Sequence, residues 1–320
     1  MPRPVVLVPR ALPEGWLDSL QGCELVVGDA DTPGFDDHVA ARLPDAEGIL
    51  CLLTETIDAA LLERAPKLRV VSNMAVGVDN VDVAACTARG IAVGNTPGVL
   101  TDATADLTMA LLLSAARRLP EAAADVRAGR WSTWSPTGWL GADLCGAQLG
   151  LVGLGKIGTA VARRAAGFGM RLAYHSRTRR PALEAELGGL RPLPLPRLLA
   201  TSDFVSVHVP LTDATTHLFD ADALAQMKPT AILINTARGP IVDPVALRQA
   251  LAAGTIGAAA LDVTSPEPLP ADDPLLTAPN LLVLPHIGSA PRGTRRKMAQ
   301  LACDNLLAGL RGEPLPHAVR

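Results

Sequence analysis

The sequence predicts an α/β fold made of two doubly wound domains, each with a parallel sheet that is covered by helices. Short apolar runs alternate with helical patterns along the chain, and this order is typical of parallel strands joined by helices. A glycine-rich turn at residues 153–158 stands between an apolar run and a helical pattern, and it marks a second α/β unit. The length of 320 residues is sufficient for two domains.

The first α/β unit precedes the glycine-rich turn. Its short apolar runs predict buried strands, and amphipathic patterns between them predict helices. Because strands and helices alternate, we expect the strands to be parallel. The predicted elements are strands at Val5–Val8, Glu24–Val27, Gly48–Leu53, Leu68–Ser72 and Ile91–Val93, and helices at Glu14–Leu20 and Asp36–Leu43.

A long helical pattern and a tryptophan-rich loop connect the two units. Thr101 or Asp102 can cap a helix that runs towards Arg127, and Pro120 is expected to kink or interrupt it. Three of the four tryptophans follow in the segment 131–139. Aromatic clusters of this kind more often anchor a subunit interface than remain exposed, although all three rings could also pack under their own domain.

The glycine-rich turn has the form of a dinucleotide-binding motif. The apolar run Leu149–Val152 leads into Gly153, Gly155 and Gly158, and an alanine-rich helix and a strand at Arg171–Tyr174 follow. This is the Rossmann-like order of strand, tight turn, helix and strand, in which the helix N-terminus binds a pyrophosphate. A glycine-rich turn in an unrelated α/β protein is the alternative.

The residues after the second strand of this motif favour NADP(H), although NAD(H) stays possible. An NAD site usually has an acid about 20 residues after the glycines, and there is no Asp or Glu between Thr159 and Leu183. Ser176 stands near the place of that acid, and the arginines at 177, 179 and 180 follow it. Guanidinium groups would bind a 2′-phosphate through charge-assisted hydrogen bonds. These arginines could instead form a solvated turn.

The second unit continues with further strands and ends in a helix. A segment rich in Pro and Gly predicts a surface connection before the next strand. The predicted elements are the connection Gly188–Pro196, strands at Phe204–Val207, Ala231–Ile234, Gly257–Leu261 and Leu281–Leu284, and a helix at Pro291–Leu310.

Composition and charge exclude several classes of function. A net charge of −3 and an aromatic content of 3% predict neither a nucleic-acid nor a membrane partner. The five cysteines are widely spaced and lack a C-x-x-C pair, which indicates reduced thiols in a cytoplasmic protein. No signal peptide is evident. No cluster has metal-ligand spacing, so we expect no metal.

Several motifs together resemble those of the D-2-hydroxyacid dehydrogenase family. They lie at Val76–Asn80, Asn235–Gly239, Asp262–Pro268 and Pro285–Ser289, beside the glycine-rich turn. The resemblance covers essentially the whole chain. Further segments most resemble glyoxylate/hydroxypyruvate reductases, and these are Arg117–Ala122, Gly129–Trp134 and Asn305–Pro314.

The chemistry of a 2-oxo acid reductase suits three residues in these motifs. His286 can donate a proton to the developing alkoxide, because imidazole changes charge near neutral pH. Glu267, if it is hydrogen-bonded to His286, would favour the imidazolium and fix the ring. Arg238 can hold the substrate carboxylate and polarise the ketone. The resemblance assigns the same catalytic roles to these positions.

The resemblance also implies a cofactor site and a substrate site. The backbone around Val76 and Gly77 is similar to the carboxylate-binding loop of the family. The implied cofactor-binding residues are Thr104, Gly153, Leu154, Gly155, Lys156, Ile157, Gly158, Ser176, Arg177, Thr178, His208, Val209, Pro210, Thr215, Thr236, Ala237, Asp262, His286 and Gly288. The implied substrate-binding residues are Leu53, Val76, Gly77, Arg238, His286 and Trp139 of the partner subunit.

The resemblance implies the domain organisation and the activity as well. Residues 1–99 and 289–320 would form the substrate domain and residues 100–288 the dinucleotide-binding domain, with the active site in the cleft between them. We expect a homodimer that reduces glyoxylate to glycolate and hydroxypyruvate to D-glycerate. Other dehydrogenases of this fold, phosphite dehydrogenase above all, and a non-enzymatic dinucleotide-sensing binding protein are alternatives. Formate dehydrogenases of this type carry Gln where Glu267 stands.

Overall fold

A computed structural model describes residues 2–32 and 34–319 of the chain. The chain divides into two compact units. The terminal unit contains Met1–Leu100 and Ala290–Arg320, and the inserted unit contains Thr101–Ser289. Each unit is a parallel sheet with helices, which confirms the predicted fold class. The assignment of substrate to one unit and dinucleotide to the other stays a prediction.

The strands and helices alternate over most of the chain. The strands are β1 Val5–Val8, β2 Glu24–Val27, β3 Gly48–Cys51, β4 Val70–Asn73, β5 Ala92–Gly94, β6 Gln148–Val152, β7 Arg171–His175, β8 Arg191–Pro192, β9 Phe204–Val207, β10 Ile232–Asn235, β11 Ala258–Leu261 and β12 Leu281–Val283. The helices are α1 Asp37–Ala40, α2 Ala59–Arg64, α3 Val83–Ala88, α4 Thr101–Ala116, α5 Leu119–Arg127, α6 Lys156–Gly167, α7 Pro181–Glu186, α8 Leu195–Thr201, α9 Ala221–Ala225, α10 Pro244–Ala252 and α11 Arg292–Leu310.

The terminal unit has a sheet of strand order β2-β1-β3-β4-β5, in which every pair is parallel. The direction in which successive strands are added reverses between β1 and β3. The loops that follow these two strands therefore lead to opposite faces of the sheet. The C-terminal helix α11 packs against β3, β4 and β5, and the Ser72 hydroxyl donates a hydrogen bond of 2.8 Å to the Ala302 carbonyl. The two ends of the sequence therefore share one core.

The inserted unit has a sheet of strand order β12-β11-β10-β9-β6-β7-β8, again with parallel pairs. Two apolar cores cover its two faces. Leu149 and Leu151 of β6 belong to the core formed with α4 and α6, and Val152 belongs to the core formed with α8, α9 and α10. The order reverses at β6, so the glycine-rich turn after β6 stands at the switch point where such sheets bind ligands.

Two predicted helices of the terminal unit are wrong or too long. In place of a helix at Glu14–Leu20 there is only a 3-10 turn at Asp18–Leu20, because Gly15 adopts a left-handed conformation with φ 79°. The helix predicted at Asp36–Leu43 ends at Ala40, and a 3-10 turn at Leu43–Asp45 follows with a proline in its first positions. The predicted strands of both units are confirmed, with ends displaced by no more than two residues.

Two predictions for the inserted unit also change. The long helix from Thr101 is interrupted rather than kinked, and the interruption lies just before Pro120. The helix ends at Ala116, Arg118 turns left-handed with φ 51°, and Pro120 lies in the first turn of α5, where its missing N–H is tolerated. The connection predicted at Gly188–Pro196 contains the edge strand β8 and the beginning of α8.

No helix in the described parts of the chain is long and apolar enough to cross a membrane. All five cysteines are free thiols. Cys145 is exposed, and the other four are buried in the structure. Burial raises the thiol pKa of Cys86 to about 11.

Candidate active site

The glycine-rich turn forms a cradle at the N-terminus of α6. Gly153 has φ 97°, and a Cβ there would lie 2.7 Å from the His208 backbone. A Cβ on Gly158 would lie 2.4 Å from the Gly153 carbonyl oxygen. Gly155 is different, since it is exposed and a Cβ there would meet nothing within 4 Å. The fold itself therefore requires Gly153 and Gly158, whereas Gly155 leaves open space in front of the helix.

This cradle fits the pyrophosphate of a dinucleotide. Gly155 is the N-cap of α6, and no side chain caps the helix. The first N–H groups of α6 are consequently available to an anion, and the helix dipole favours one. Lys156 beside them is exposed. No group of three or more His, Cys, Asp or Glu side chains in the described residues could hold a metal ion.

The loop after β10 places Arg238. The Asn235 amide donates a hydrogen bond of 2.8 Å to the Arg238 carbonyl, and the Ala237 N–H donates one of 3.0 Å to the Asn235 side-chain oxygen. The hydroxyls of Thr236 and Thr108 share a hydrogen bond of 2.9 Å. Asn235 therefore closes the loop from within, and Thr236 ties its beginning to α4 of the same unit.

The loop after β11 lies against the loop after β10. A Cβ on Gly239 would lie 1.8 Å from the Thr264 carbonyl oxygen, so only glycine permits this approach of the two backbones. The Thr264 N–H then donates a hydrogen bond of 3.3 Å to Oε2 of Glu267. This contact places the segment that begins with Arg238 beside the segment that holds Glu267.

Asp262, which follows β11, holds the turn after β12. Its carboxylate accepts hydrogen bonds of 2.8 Å from the N–H groups of Ile287 and Gly288, and its carbonyl accepts one of 2.9 Å from the N–H of His286. Burial raises the pKa of the Asp262 carboxyl, while the two N–H donors oppose that effect. The Thr104 hydroxyl donates to the Gly288 carbonyl at 3.4 Å. The hydrogen bonds to Asp262 thus fix the backbone around His286.

His286 and Glu267 come together as predicted by the motifs, in that Nδ1 of His286 is hydrogen-bonded to Oε1 of Glu267. His286 has a left-handed backbone with φ 53°. The side chains keep 23% and 31% of their surface exposed, so the pair is open to a small ligand. Because Nδ1 faces the carboxylate, Nε2 is the ring nitrogen left for a substrate.

The turn after β7, residues 176–180, differs from the sequence prediction in one respect. Arg179 already has a partner in the free protein, since it forms a bidentate ion pair with Glu184 at 2.8–3.2 Å. Glu184 is the first acid after the stretch without acids. It lies in the first turn of α7, and this position brings its side chain back to the turn at residues 176–180. Sequence reasoning missed Glu184. Its spacing of five residues from Arg179 is the signal that could have found it, because a turn followed by a helix can bring two such residues into contact.

The remaining cofactor candidates of the inserted unit lie on the loop after β9. The Thr215 hydroxyl donates a hydrogen bond of 2.7 Å to the Pro210 carbonyl and accepts one of 2.8 Å from the Thr212 N–H. His208 shares a hydrogen bond of 2.9 Å with the Ser206 hydroxyl. Although part of His208 reaches solvent, enclosure of its imidazole lowers the pKa to about 4. His208 is therefore neutral at physiological pH.

The substrate candidates of the terminal unit follow β3 and β4. Leu53 and Val76 are exposed to 39% and 37%. The amide of Asn73 donates to the Gly77 carbonyl at 2.9 Å, and that of Asn95 donates to the Val76 carbonyl at 2.8 Å. These bonds fix the two carbonyl groups of the loop.

The tryptophan-rich loop is exposed in the single chain. Trp131, Trp134 and Trp139 keep 68%, 78% and 40% of their surface in solvent, and Leu140 keeps 66%. The Arg118 guanidinium stands 5.0 Å from the centre of the Trp139 ring. The alternative that all three rings pack under their own unit is therefore wrong for the isolated chain.

The fold and the cradle define an α/β protein of the dinucleotide-binding class. Residues 109–288 match the family described as D-isomer specific 2-hydroxyacid dehydrogenase, NAD binding domain. A glyoxylate reductase of Korarchaeum cryptofilum is 49% identical, over 99% of this chain and 96% of its own. A human glyoxylate reductase/hydroxypyruvate reductase is 46% identical, over 93% and 91%. The chain belongs to the D-2-hydroxyacid dehydrogenase family.

Solved structures agree with this assignment. A protein from Thermus thermophilus has a TM-score of 0.92 and 48% identity, covering 99% of this chain and all of its own. An NADPH-dependent glyoxylate/hydroxypyruvate reductase from Sinorhizobium meliloti, crystallised with NADP and malonate, has a TM-score of 0.86 and 38% identity, covering 99% and 97%. The resemblance deduced from the motifs is confirmed at the level of the family, and the protein is an oxidoreductase.

Proposed function

We propose that this protein reduces small 2-oxo acids, glyoxylate to glycolate and hydroxypyruvate to D-glycerate, and prefers NADPH. The hydrogen bond between His286 and Glu267, beside the loop of Arg238, is the observation that carries the proposal. A proton donor held by a carboxylate, with a guanidinium on the adjacent loop, is the set that reduction of a 2-oxo acid requires. The names of the full-length relatives support the substrate class.

In this proposal the bound nicotinamide supplies a hydride to C2 of the substrate. His286 holds a proton at Nε2 and donates it to the oxygen that becomes the hydroxyl. Glu267 accepts from Nδ1, so it fixes the tautomer and stabilises the charged ring. The left-handed backbone at His286, held by Asp262, aims the ring. The residues that donate and orient the proton therefore all come from the ends of β11 and β12.

Arg238 binds the carboxylate and the carbonyl oxygen of the substrate, because its planar fork of donors matches both. The N–H groups near Val76 and Gly77 bind the same carboxylate, and Leu53 lines the pocket. These last three residues belong to the terminal unit.

The preference for NADPH is supported by the turn after β7. Ser176 stands where an acid would repel a 2′-phosphate, and the exposed Arg177 and Arg180 supply positive charge. The relative from Sinorhizobium meliloti is described as NADPH-dependent and was crystallised with NADP.

We also infer a cytoplasmic homodimer. The exposed tryptophans form an apolar surface of the kind that a second subunit covers. Trp139 of the partner subunit would then line the substrate pocket and limit the size of the acid. A C₂ axis places the same contact in both sites. The free cysteines suit a reducing compartment.

Replacement of the proposed proton donor tests the function. His286→Ala should reduce kcat for glyoxylate by about 10²-fold or more, the range for loss of a general acid, while the Kd for NADPH stays constant. Arg238→Ala should raise KM for glyoxylate and lower kcat. His38→Ala, an exposed histidine of the other unit, is the control and should behave like the parent. Near-normal activity of the first two variants with glyoxylate, or activity with phosphite alone, would overturn the proposal.

A further inference from the structure

The turn at residues 176–180 is tied to the structure by the hydroxyl of Tyr174. Oη of Tyr174 donates a hydrogen bond of 2.6 Å to Oε1 of Glu184 and accepts one of 2.9 Å from the Arg180 N–H. Glu184 in turn binds Arg179 with both carboxylate oxygens. One hydroxyl therefore fixes both the backbone at the end of the turn and the acid that binds Arg179.

Tyr174 is more than an apolar core residue. It is the only tyrosine of the chain and keeps 1% of its surface exposed, in the core that covers one face of the sheet. Phenylalanine would fill the same volume. What the hydroxyl adds is two hydrogen bonds, and both are made to the segment 180–184, which forms the end of the turn and the beginning of α7.

Glu184 determines which arginines of the turn keep a positive charge that no carboxylate neutralises. The hydrogen bonds from Arg179, and then the one from Tyr174, lower the pKa of Glu184, so it is ionised at neutral pH. Its charge cancels that of Arg179. Within the described residues neither Arg177 nor Arg180 forms a side-chain ion pair, so these two carry the net positive charge of the turn.

We propose that Tyr174, Glu184 and Arg179 form a bracket that shapes the turn for the adenosine 2′-phosphate of NADP(H). The bracket holds Arg179 away from the phosphate, so Arg177 and Arg180 are its cations and Tyr174 is a positioning residue for cofactor selection. This inference rests on the proposed preference for NADPH. A charge-assisted contact to phosphate depends on geometry, so a turn that is free to move loses affinity for the 2′-phosphate and for no other part of the cofactor.

The variant Tyr174→Phe tests the bracket directly. We measure binding of 2′,5′-ADP and of 5′-AMP, which differs from it only by the 2′-phosphate, by titration calorimetry, which needs no turnover. The affinity for 2′,5′-ADP should fall by about five- to tenfold, as expected for loss of hydrogen bonds that order a charged turn, while that for 5′-AMP stays constant. KM for NADPH should rise with kcat unchanged. Equal losses for both nucleotides, or a lower kcat with both cofactors, would indicate a structural role and overturn the inference.

Glu186→Gln is the matched control. Glu186 lies on the same short helix and forms a bidentate pair with Arg163 at 2.6 and 3.0 Å, on α6 and away from the turn. Its replacement should leave the affinity for both nucleotides unchanged. If Glu186→Gln weakens binding of 2′,5′-ADP as much as Tyr174→Phe does, general loosening of α7 explains both results and the bracket is refuted.

A second pair of variants tests the role of Arg179. Arg179→Gln leaves the Glu184 carboxylate without its cation. The negative charge of Glu184 should then repel the 2′-phosphate and weaken binding of 2′,5′-ADP. Adding Glu184→Gln removes that charge and keeps an acceptor for the Tyr174 hydroxyl, so the affinity should recover. Without recovery, Arg179 is itself a phosphate ligand and the inference is wrong.

The parent protein separates the two proposals. If it binds 2′,5′-ADP no more tightly than 5′-AMP, the preference for NADPH fails and the bracket fails with it. If the parent binds 2′,5′-ADP more tightly than 5′-AMP and Tyr174→Phe keeps the whole of that difference, only the bracket fails.

Discussion

Gly155 offers a test that separates the needs of the fold from those of the cofactor. It is the N-cap of α6 with φ −77° and ψ −161°, an extended conformation that serine adopts readily. A Cβ there meets nothing within 4 Å, and no side chain caps the helix. Gly155→Ser therefore adds a capping hydroxyl to the free protein, and it also fills the space through which we expect the pyrophosphate to approach.

The two effects have opposite signs. A serine N-cap and the reduced freedom of the unfolded chain should together stabilise the protein by about 0.5–1 kcal/mol. For a unit of this size that corresponds to a rise in Tm of roughly 1–4 °C. Blocking one charge-assisted hydrogen bond to the pyrophosphate costs about 1.5–3 kcal/mol, or roughly 10- to 100-fold in Kd.

Thermal unfolding of the ligand-free protein and calorimetric titration with NADPH measure both quantities. Gly167→Ser is the control, because Gly167 is exposed at the other end of α6 and also has open space around it. It should leave Kd unchanged. If Gly155→Ser binds NADPH like the parent, the pyrophosphate does not approach this residue. A lower Tm for the same variant would show that the interpretation of the N-cap is wrong.

Three other predictions concern the cofactor, the interface and the thiols. With glyoxylate, kcat/KM should favour NADPH, and Ser176→Asp with Arg177→Ala should move the preference towards NADH by repulsion; a parent enzyme that prefers NADH contradicts this. Trp139→Ala should relax the preference for small 2-oxo acids with Kd for NADPH unchanged, and an unchanged substrate ranking or a monomer in sedimentation equilibrium contradicts it. Cys145 should react rapidly with a disulfide reagent at about pH 8, whereas Cys86, buried with its pKa raised to about 11, should not; persistence of the rapid phase in Cys145→Ser refutes the assignment.

The strands were predictable because parallel strands buried on both faces are continuous apolar runs. Phe204–Val207, for example, is buried at every residue, and its predicted and observed ends agree. The ends of helices were less predictable, since they depend on single backbone conformations. Arg118 turns left-handed without being glycine, and no local pattern in the sequence marks it. The sequence therefore predicts the break at Pro120, whereas the chain turns at Arg118.

The sequence predicts which residues form the candidate site, but it does not predict their contacts. The residue types of Arg238, Glu267 and His286 were assigned from motifs, whereas the hydrogen bond between His286 and Glu267 depends on the course of two loops. Glu184 shows the limit most clearly. It is remote from the glycine-rich turn in sequence, and only the reversal of the chain into α7 brings its carboxylate to Arg179.

The close approach of Gly239 to Thr264 has a consequence for how the site is assembled. The loops after β10 and β11 are in backbone contact, and the turn after β12 is hydrogen-bonded to Asp262. The three segments therefore form one rigid unit. Displacement of the backbone beside Arg238 presses on Thr264 and so on the segment that carries Glu267. The main chain under the proposed proton donor and the proposed anion-binding cation is therefore aligned when the sheet folds, and a substrate does not have to supply that part of the ordering entropy.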